Sequence, residues 1–186
     1  TNGALLCYTG KHTGRSPKDR FIVEDEQTRS TVDWGTVNQP MTPEHFERLR
    51  ADQLQYLEGK ELFASDAYVG ADRRHQVTVR AVNETAWANL FCRQLFRRYA
   101  ATEAIPATAQ FTIIHAPGFL ADPARHGTRT DTFIVVNFSQ GLVLIGGTEY
   151  AGEQKKSIIS ILNYLYPLQS IFPMHCSANI SNAAPH

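Results

Sequence analysis

Two adjacent lysines, Lys155 and Lys156, lie in the first turn of a predicted helix that follows a predicted strand. The apolar run at 142–145 predicts the strand, Gly146 and Gly147 predict a turn, and apolar residues at helical spacing after the lysines predict the helix. Open α/β sheets bind ligands at such points because the N–H groups of a helix N-terminus point outward. Cations there cost about 0.3–1 kcal/mol each, and a neighbouring cation lowers the pKa of a lysine. The pair is therefore either a functional amine site, with a neutral lysine as ligand or base, or two solvated surface charges.

A second charged loop lies near the start of the chain. Residues 9–19 combine two glycines with several cations and hydroxyl side chains, between two predicted strands at 3–8 and 20–24. Such a loop can wrap its N–H groups around an anion, while Arg15 donates two parallel hydrogen bonds to a carboxylate or a phosphate. The alternative is an ordinary polar hairpin loop with Arg15 in solvent.

Two more reactive side chains, His175 and Cys176, follow the last predicted helix. A lone histidine is more often structural than a metal ligand, and Cys176 lacks the paired spacing of a zinc site. A nucleophilic cysteine needs partner side chains that the sequence does not identify, so we expect Cys176 to be a small buried residue. A functional role for His175 would require that the fold bring it beside Lys156.

Gly147 and Gly152 have the G-x-x-x-x-G spacing of a phosphate-binding loop. That motif requires Lys and then Ser or Thr directly after the second glycine, so that the amine reaches the outer phosphates. Here Glu153 and Gln154 intervene, and an acidic side chain at that point would repel phosphate. The spacing is therefore interpreted as a coincidental match.

The predicted elements form a mixed pattern of strands and helices. Strands are predicted at 3–8, 20–24, 60–69, 75–82, 111–115, 132–137 and 142–145. Helices are predicted after the caps Thr42 and Asn83 and before Pro167, and residues 25–41 and 116–131 are predicted loops. In the second helix Trp87, Leu90, Phe91, Leu95 and Tyr99 are expected to face the core. The pattern indicates an α/β fold, a mixed β-sheet with packed helices, with residues 1–179 as one domain and 180–186 as a disordered tail.

Composition limits the classes of function. The 186 residues are 42% hydrophobic and carry 18 basic and 18 acidic side chains, so bulk charge indicates neither a nucleic-acid nor a membrane partner. No apolar run approaches the roughly 20 residues of a membrane span. Three widely separated cysteines are typical of reduced thiols, so we expect a cytoplasmic protein. Because the chain starts at Thr1 instead of methionine, we expect it to be a piece of a longer polypeptide.

Three segments together resemble one family, ATP-dependent phosphoenolpyruvate carboxykinase. The segments are 13–19, 146–156 and 174–179, and their order and spacing are similar to those of the N-terminal domain of that family. Each has six or more residues, which makes the combination far more specific than any single motif. The resemblance covers essentially the whole chain and implies the fold of that N-terminal domain.

The resemblance also implies roles for individual residues. Arg15 would clamp a carboxylate of oxaloacetate or phosphoenolpyruvate, and Tyr150 would contact the substrate. Lys156, as a neutral amine, and His175 would bind Mn²⁺ or Mg²⁺ and approach the phosphates of ATP, with Lys156 also near the substrate. Lys155 would add positive charge and help to keep Lys156 neutral. The implied reaction converts oxaloacetate and ATP to phosphoenolpyruvate, CO₂ and ADP, a step of gluconeogenesis.

The resemblance implies an incomplete site. The family's phosphate-binding loop, its metal-binding aspartate and its later arginines lie beyond the segment that matches Asn179. We therefore expect this chain to hold about half of an active site, to require the nucleotide-binding C-terminal domain of the same polypeptide, and to be inactive alone. The alternative is a non-catalytic module that binds carboxylate or phosphate through the Arg15 loop.

Overall fold

A computed structural model of the chain describes residues 2–177 and 179, and the tail predicted at 180–186 lies outside the described residues. Within the described part the chain forms a mixed sheet of seven strands with four α-helices, which confirms the predicted fold class. The strands are β1 Arg20–Val23, β2 Gln39–Met41, β3 Phe63–Val69, β4 Val77–Asn83, β5 Phe111–Ala116, β6 Phe133–Asn137 and β7 Leu142–Gly146. The helices are α1 Pro43–Leu57, α2 Ala86–Leu95, α3 Pro123–His126 and α4 Gly152–Leu165.

The strand directions determine which loops meet at the ends of the sheet. The order is β2-β1-β6-β7-β5-β4-β3, and only the pairs β3–β4 and β6–β7 are antiparallel. Because β6 runs against β7 and β1 runs parallel to β6, the start of β1 lies at the same edge as the ends of β5 and β7. The loop that carries Arg15 precedes β1, and the glycine turn follows β7. The topology therefore brings both loops to one edge of the sheet.

Helices cover both faces of the sheet, so its central strands are buried on both sides. Along β6, Phe133 and Val135 pack in the core beneath α1, whereas Ile134 and Val136 pack in the core beneath α2 and α4. All five residues of β6 are buried, which explains the continuous apolar run in its sequence.

Helix α1 begins as predicted. The Thr42 side chain accepts a hydrogen bond from the His45 N–H at 3.2 Å, and Pro43 occupies the first helical position. Phe46 and Leu49 are fully buried on its inner face. None of the helices in the described part is long and apolar enough to cross a membrane.

The prediction of a strand at 3–8 is wrong. These residues form no strand, and Leu5 and Leu6 are 61% and 95% exposed. The edge strand beside β1 is β2, which pairs with β1 in parallel and lies in the predicted loop 25–41. Three residues, one of them proline, are too few to produce a periodic pattern.

The predictions around α2 are partly wrong. Asn83 is the buried last residue of β4, and Thr85 occupies the N-cap position of the helix. The buried face of α2 consists of small or polar residues, namely Ala88, Asn89 and Cys92, while Leu90 and Leu95 are exposed. Small side chains allow the helix to pack closely on β3 and β4, and apolar periodicity alone does not reveal this. The short helix α3 lies in the other predicted loop, 116–131.

Candidate active site at the N-terminus of helix α4

The turn between β7 and α4 requires glycine at two positions. Gly147 has φ +67°, and a Cβ there would lie 2.5 Å from the carbonyl oxygen of Asp131. A Cβ on Gly152 would lie 2.5 Å from the ring of Tyr150, which packs against the first turn of α4. The Tyr150 N–H donates to the Thr148 hydroxyl at 3.2 Å. The glycine spacing that resembles a phosphate-binding loop therefore has a steric cause.

Lys156 and His175 are brought together. The Lys156 Nζ lies 2.9 Å from the His175 Nε2, although the two residues are 19 positions apart. His175 is exposed and Lys156 is half-buried in the second turn of α4. At this separation the two nitrogen atoms are within hydrogen-bond distance of each other, and both are close enough to contact one ligand.

The surroundings of Lys156 favour its neutral form. Desolvation lowers the pKa of the Lys156 amine, and the positive charges of Arg15, Lys155 and Arg20 lower it further. The Arg15 side chain is exposed and has no hydrogen-bond partner among the described residues. Three positive charges, those of Arg15, Lys155 and Arg20, therefore act on Lys156 near the start of α4, an arrangement suited to anions.

Arg20 is the member of this cluster that sequence reasoning missed, because it reads only as the first residue of a strand. Its guanidinium donates to the Ser160 hydroxyl at 2.7 Å. Burial lowers the pKa of Arg20, and the Glu153 carboxylate partly opposes that effect. Arg20 thus fixes the start of β1 against the middle of α4.

His115 was also missed, since a single histidine in an apolar strand gives no sequence signal beyond its polarity. It is fully buried at the end of β5, and its Nε2 donates to the Thr148 carbonyl oxygen at 2.9 Å. Burial lowers the pKa of His115 to about 4, so the ring is neutral at physiological pH. His115 therefore supports the glycine turn from within the sheet.

Within residues 2–177 and 179, no group of three or more His, Cys, Asp or Glu side chains could hold a metal ion. Lys156 and His175 supply two nitrogen donors at most. Cys176 is exposed, so the expectation of a buried cysteine is wrong; its segment forms no helix or strand and packs in neither core.

A cavity of about 600 Å³ lies beside this site. Arg15, Arg20 and Ser160 line it together with apolar side chains of β1 and β6. Tyr150, Lys156 and His175 do not line this cavity.

Comparison with known proteins gives consistent matches. The family model of phosphoenolpyruvate carboxykinase matches residues 1–185. The chain is 56% identical over 179 residues to phosphoenolpyruvate carboxykinase (ATP) of Geobacillus thermodenitrificans, covering 96% of this chain and 34% of that protein. It is 54% identical to the protein of the same name in Brevibacillus brevis, with the same coverage. It is 52% identical to phosphoenolpyruvate carboxykinase (ATP) 1 of Moorella thermoacetica, over 98% of this chain and 35% of that protein. The chain thus spans about a third of the length of these relatives.

The lowered pKa of Lys156 predicts a reactive amine. At about pH 8, Lys156 should be acetylated by acetic anhydride faster than Lys60, whose pKa is raised by hydrogen bonds with Tyr56 and Glu84. Replacing Arg15 by alanine removes a nearby positive charge, raises the pKa of Lys156 and slows the reaction. Peptide mass spectrometry measures each rate. Arg48→Ala, at an exposed arginine on α1, is the matched control. Equal rates at Lys156 and Lys60 would contradict this account.

The lowered pKa of His115 predicts a loss of stability in acid. The unfolded chain binds a proton near the ordinary histidine pKa of about 6.5, whereas the folded chain does so only near about 4. This contribution is therefore present above about pH 6.5 and declines as the pH falls, by about 2 kcal/mol between pH 7 and pH 5. Urea unfolding at both pH values measures it. His115→Gln should show a smaller pH dependence, and an unchanged pH dependence in that variant would refute the prediction.

Proposed function

The chain belongs to the phosphoenolpyruvate carboxykinase (ATP) family, and from that membership we propose that the full-length gene product converts oxaloacetate and ATP to phosphoenolpyruvate, CO₂ and ADP. The observation that carries the proposal is the 2.9 Å approach of Lys156 Nζ to His175 Nε2 beside the charges of Arg15 and Lys155. Because the chain spans about a third of the length of its relatives, we propose that turnover also requires residues outside it.

In this proposal Arg15, Tyr150 and Lys156 bind the substrate oxaloacetate. An arginine without an internal partner can offer its planar fork to a carboxylate of oxaloacetate, which two parallel hydrogen bonds bind and orient. Tyr150, half-exposed above the first turn of α4, contacts the same substrate. The Lys156 amine lies near the positive charges of Arg15 and Lys155 and approaches the reacting end of the substrate.

Lys156 and His175 are the residues that would hold a divalent ion, Mn²⁺ or Mg²⁺. Two ligands of one ion lie about 3 Å apart when each bond is about 2.1 Å long, and the 2.9 Å between Lys156 Nζ and His175 Nε2 fits that spacing. A lysine must be neutral to offer its lone pair, and the lowered pKa of Lys156 favours that form. When bound, the ion would supply stabilisation for negative charge on the substrate and on the phosphates.

The charges of the site suit the two steps of the reaction. Decarboxylation breaks the bond between the methylene carbon and the distal carboxylate, and the electron pair becomes the enolate of pyruvate. Arg15, Lys155 and the helix N-terminus stabilise that negative charge where it develops. The enolate oxygen then takes the terminal phosphoryl group of ATP, and ADP leaves.

The nucleotide side of the site is only partly present in this chain. His175 and Lys156 would approach the phosphates of ATP, while the other nucleotide contacts belong to residues outside the chain. We place the reaction in gluconeogenesis and in the cytoplasm, where its product is a high-energy precursor of sugars.

The proposal predicts the effect of replacing Arg15. In the full-length gene product, Arg15→Ala should lower kcat/KM for oxaloacetate by about 10²–10³-fold, because the carboxylate loses its oriented charge. Arg15→Lys keeps the positive charge but not the planar guanidinium that donates two parallel hydrogen bonds, so its kcat/KM should lie between those of Arg15→Ala and the wild type. Phosphoenolpyruvate formation with ATP and Mn²⁺ is the measurement, with Arg48→Ala as the control.

Two outcomes would contradict the proposal. If the intact gene product forms no phosphoenolpyruvate, the chain belongs to an anion-binding module that does not carry out phosphoryl transfer. If the isolated 186-residue chain turns over, the claim that residues outside it are required is wrong.

A further inference from the structure

Glu153 is an unusual residue to find completely buried. It lies in the first turn of α4 with 0% exposure, and its Oε1 accepts a hydrogen bond from the Ser16 N–H at 2.7 Å. Its Oε2 is also buried and has no hydrogen-bond partner within the described part of the chain. Burying a carboxylate with an unpaired oxygen costs free energy, so stability alone does not account for this residue.

The Ser16 hydrogen bond acts on the residue that binds substrate in the proposed function. Ser16 directly follows Arg15, whose side chain has no partner of its own among the described residues. A Cβ on Gly14, on the other side, would meet no atom within 4 Å, so Gly14 itself does not pack against the rest of the protein. The position of Arg15 therefore depends on its backbone, and Glu153 holds that backbone against α4.

The neighbouring residue, Gln154, holds the other side of the site. It is fully buried; its Oε1 accepts from the Cys92 thiol at 3.0 Å, and its Nε2 lies 3.3 Å from the His115 Nδ1. Because the Thr148 carbonyl oxygen can only accept, the His115 Nε2 carries the proton and its Nδ1 accepts from Gln154. The donors therefore point in one direction, from Cys92 through Gln154 and His115 to Thr148.

We propose that Glu153 and Gln154 are positioning residues that set the separation of Arg15, Tyr150 and Lys156. Both lie on the helix that carries Lys156, within three positions of it, so one rigid element holds the Arg15 loop through Glu153 and the turn before Tyr150 through Gln154. The two residues that break the phosphate-loop pattern are thus the ones that assemble this site. The inference rests on the proposed function for its effect on turnover, but not for its effect on loop structure.

The structural part is tested without catalysis, by amide hydrogen exchange at Ser16. Glu153→Ala removes the acceptor and should speed exchange at Ser16 by about tenfold or more. Glu153→Gln keeps an oxygen acceptor and should retain most of the protection. Glu44→Gln removes an acid from the first turn of α1, where it has the same favourable position at a helix N-terminus, and should leave Ser16 unchanged. Unchanged exchange in Glu153→Ala would overturn the proposal whether or not the protein is a carboxykinase.

The functional part is tested on the full-length gene product by separate KM values for oxaloacetate and ATP. Glu153→Ala and Gln154→Leu should each lower kcat/KM for oxaloacetate by about tenfold or more, with KM for ATP unchanged, because a displaced binding group loses orientation. Glu153→Gln should recover most of the loss. Gln53→Leu removes another fully buried glutamine, whose Nε2 donates to the Ile145 carbonyl on the opposite face of the sheet, and controls for lost stability.

The outcomes separate positioning from general destabilisation. Equal loss toward oxaloacetate and ATP, or an equal effect of Gln53→Leu, would show that Glu153 and Gln154 act only on stability and would overturn the proposal. An inactive wild-type enzyme with Ser16 protection that depends on Glu153 would refute the proposed function alone.

Discussion

The antiparallel pairing of β6 with β7 is the constraint on which the site depends. Since β1 follows β6 in direction, this single reversal brings the start of β1 to the edge where β7 ends. The Arg15 loop and the N-terminus of α4 consequently meet, although Ser16 and Glu153 are 137 residues apart. With β6 parallel to β7, the same loops would lie at opposite ends of the sheet.

The second feature of the site is its concentration of positive charge. Arg15, Arg20, Lys155 and Lys156 lie close together along the first half of α4. Burial and the charge of Arg15 lower the pKa of Arg20, and desolvation and the charges of Arg15, Lys155 and Arg20 lower the pKa of Lys156. The buried Glu153 carboxylate offsets part of this repulsion and holds the loop in place. The remaining positive potential is available to a ligand with several negative charges, which is the property that a dicarboxylate and a nucleotide phosphate share.

Elements of the fold could be predicted from the sequence where the pattern that specifies them is local. Helices α1 and α4 and the buried strands β6 and β7 were predicted because their apolar periodicity is strong. The strand at 3–8 was wrong because its apolar residues have no strand to pair with, and pairing is a non-local property. Arg15, Lys156 and His175 were proposed as site residues from three short segments, and their role stays a prediction; the 2.9 Å approach of Lys156 to His175 is a tertiary contact that the segments do not reveal. Glu153, Gln154 and His115 were not recognised as supports, since a buried polar side chain is explained only by its tertiary partners.

The binding of Mn²⁺ to the full-length gene product, followed by electron paramagnetic resonance in the absence of substrates, tests the roles of Lys156 and His175 directly. If Lys156 and His175 act together on one ion, His175→Ala and Lys156→Met should each weaken binding by about tenfold or more, and the double variant should lose little beyond either single one. Unaltered Mn²⁺ affinity in both single variants would contradict the central claim that these two nitrogens form a metal-binding pair.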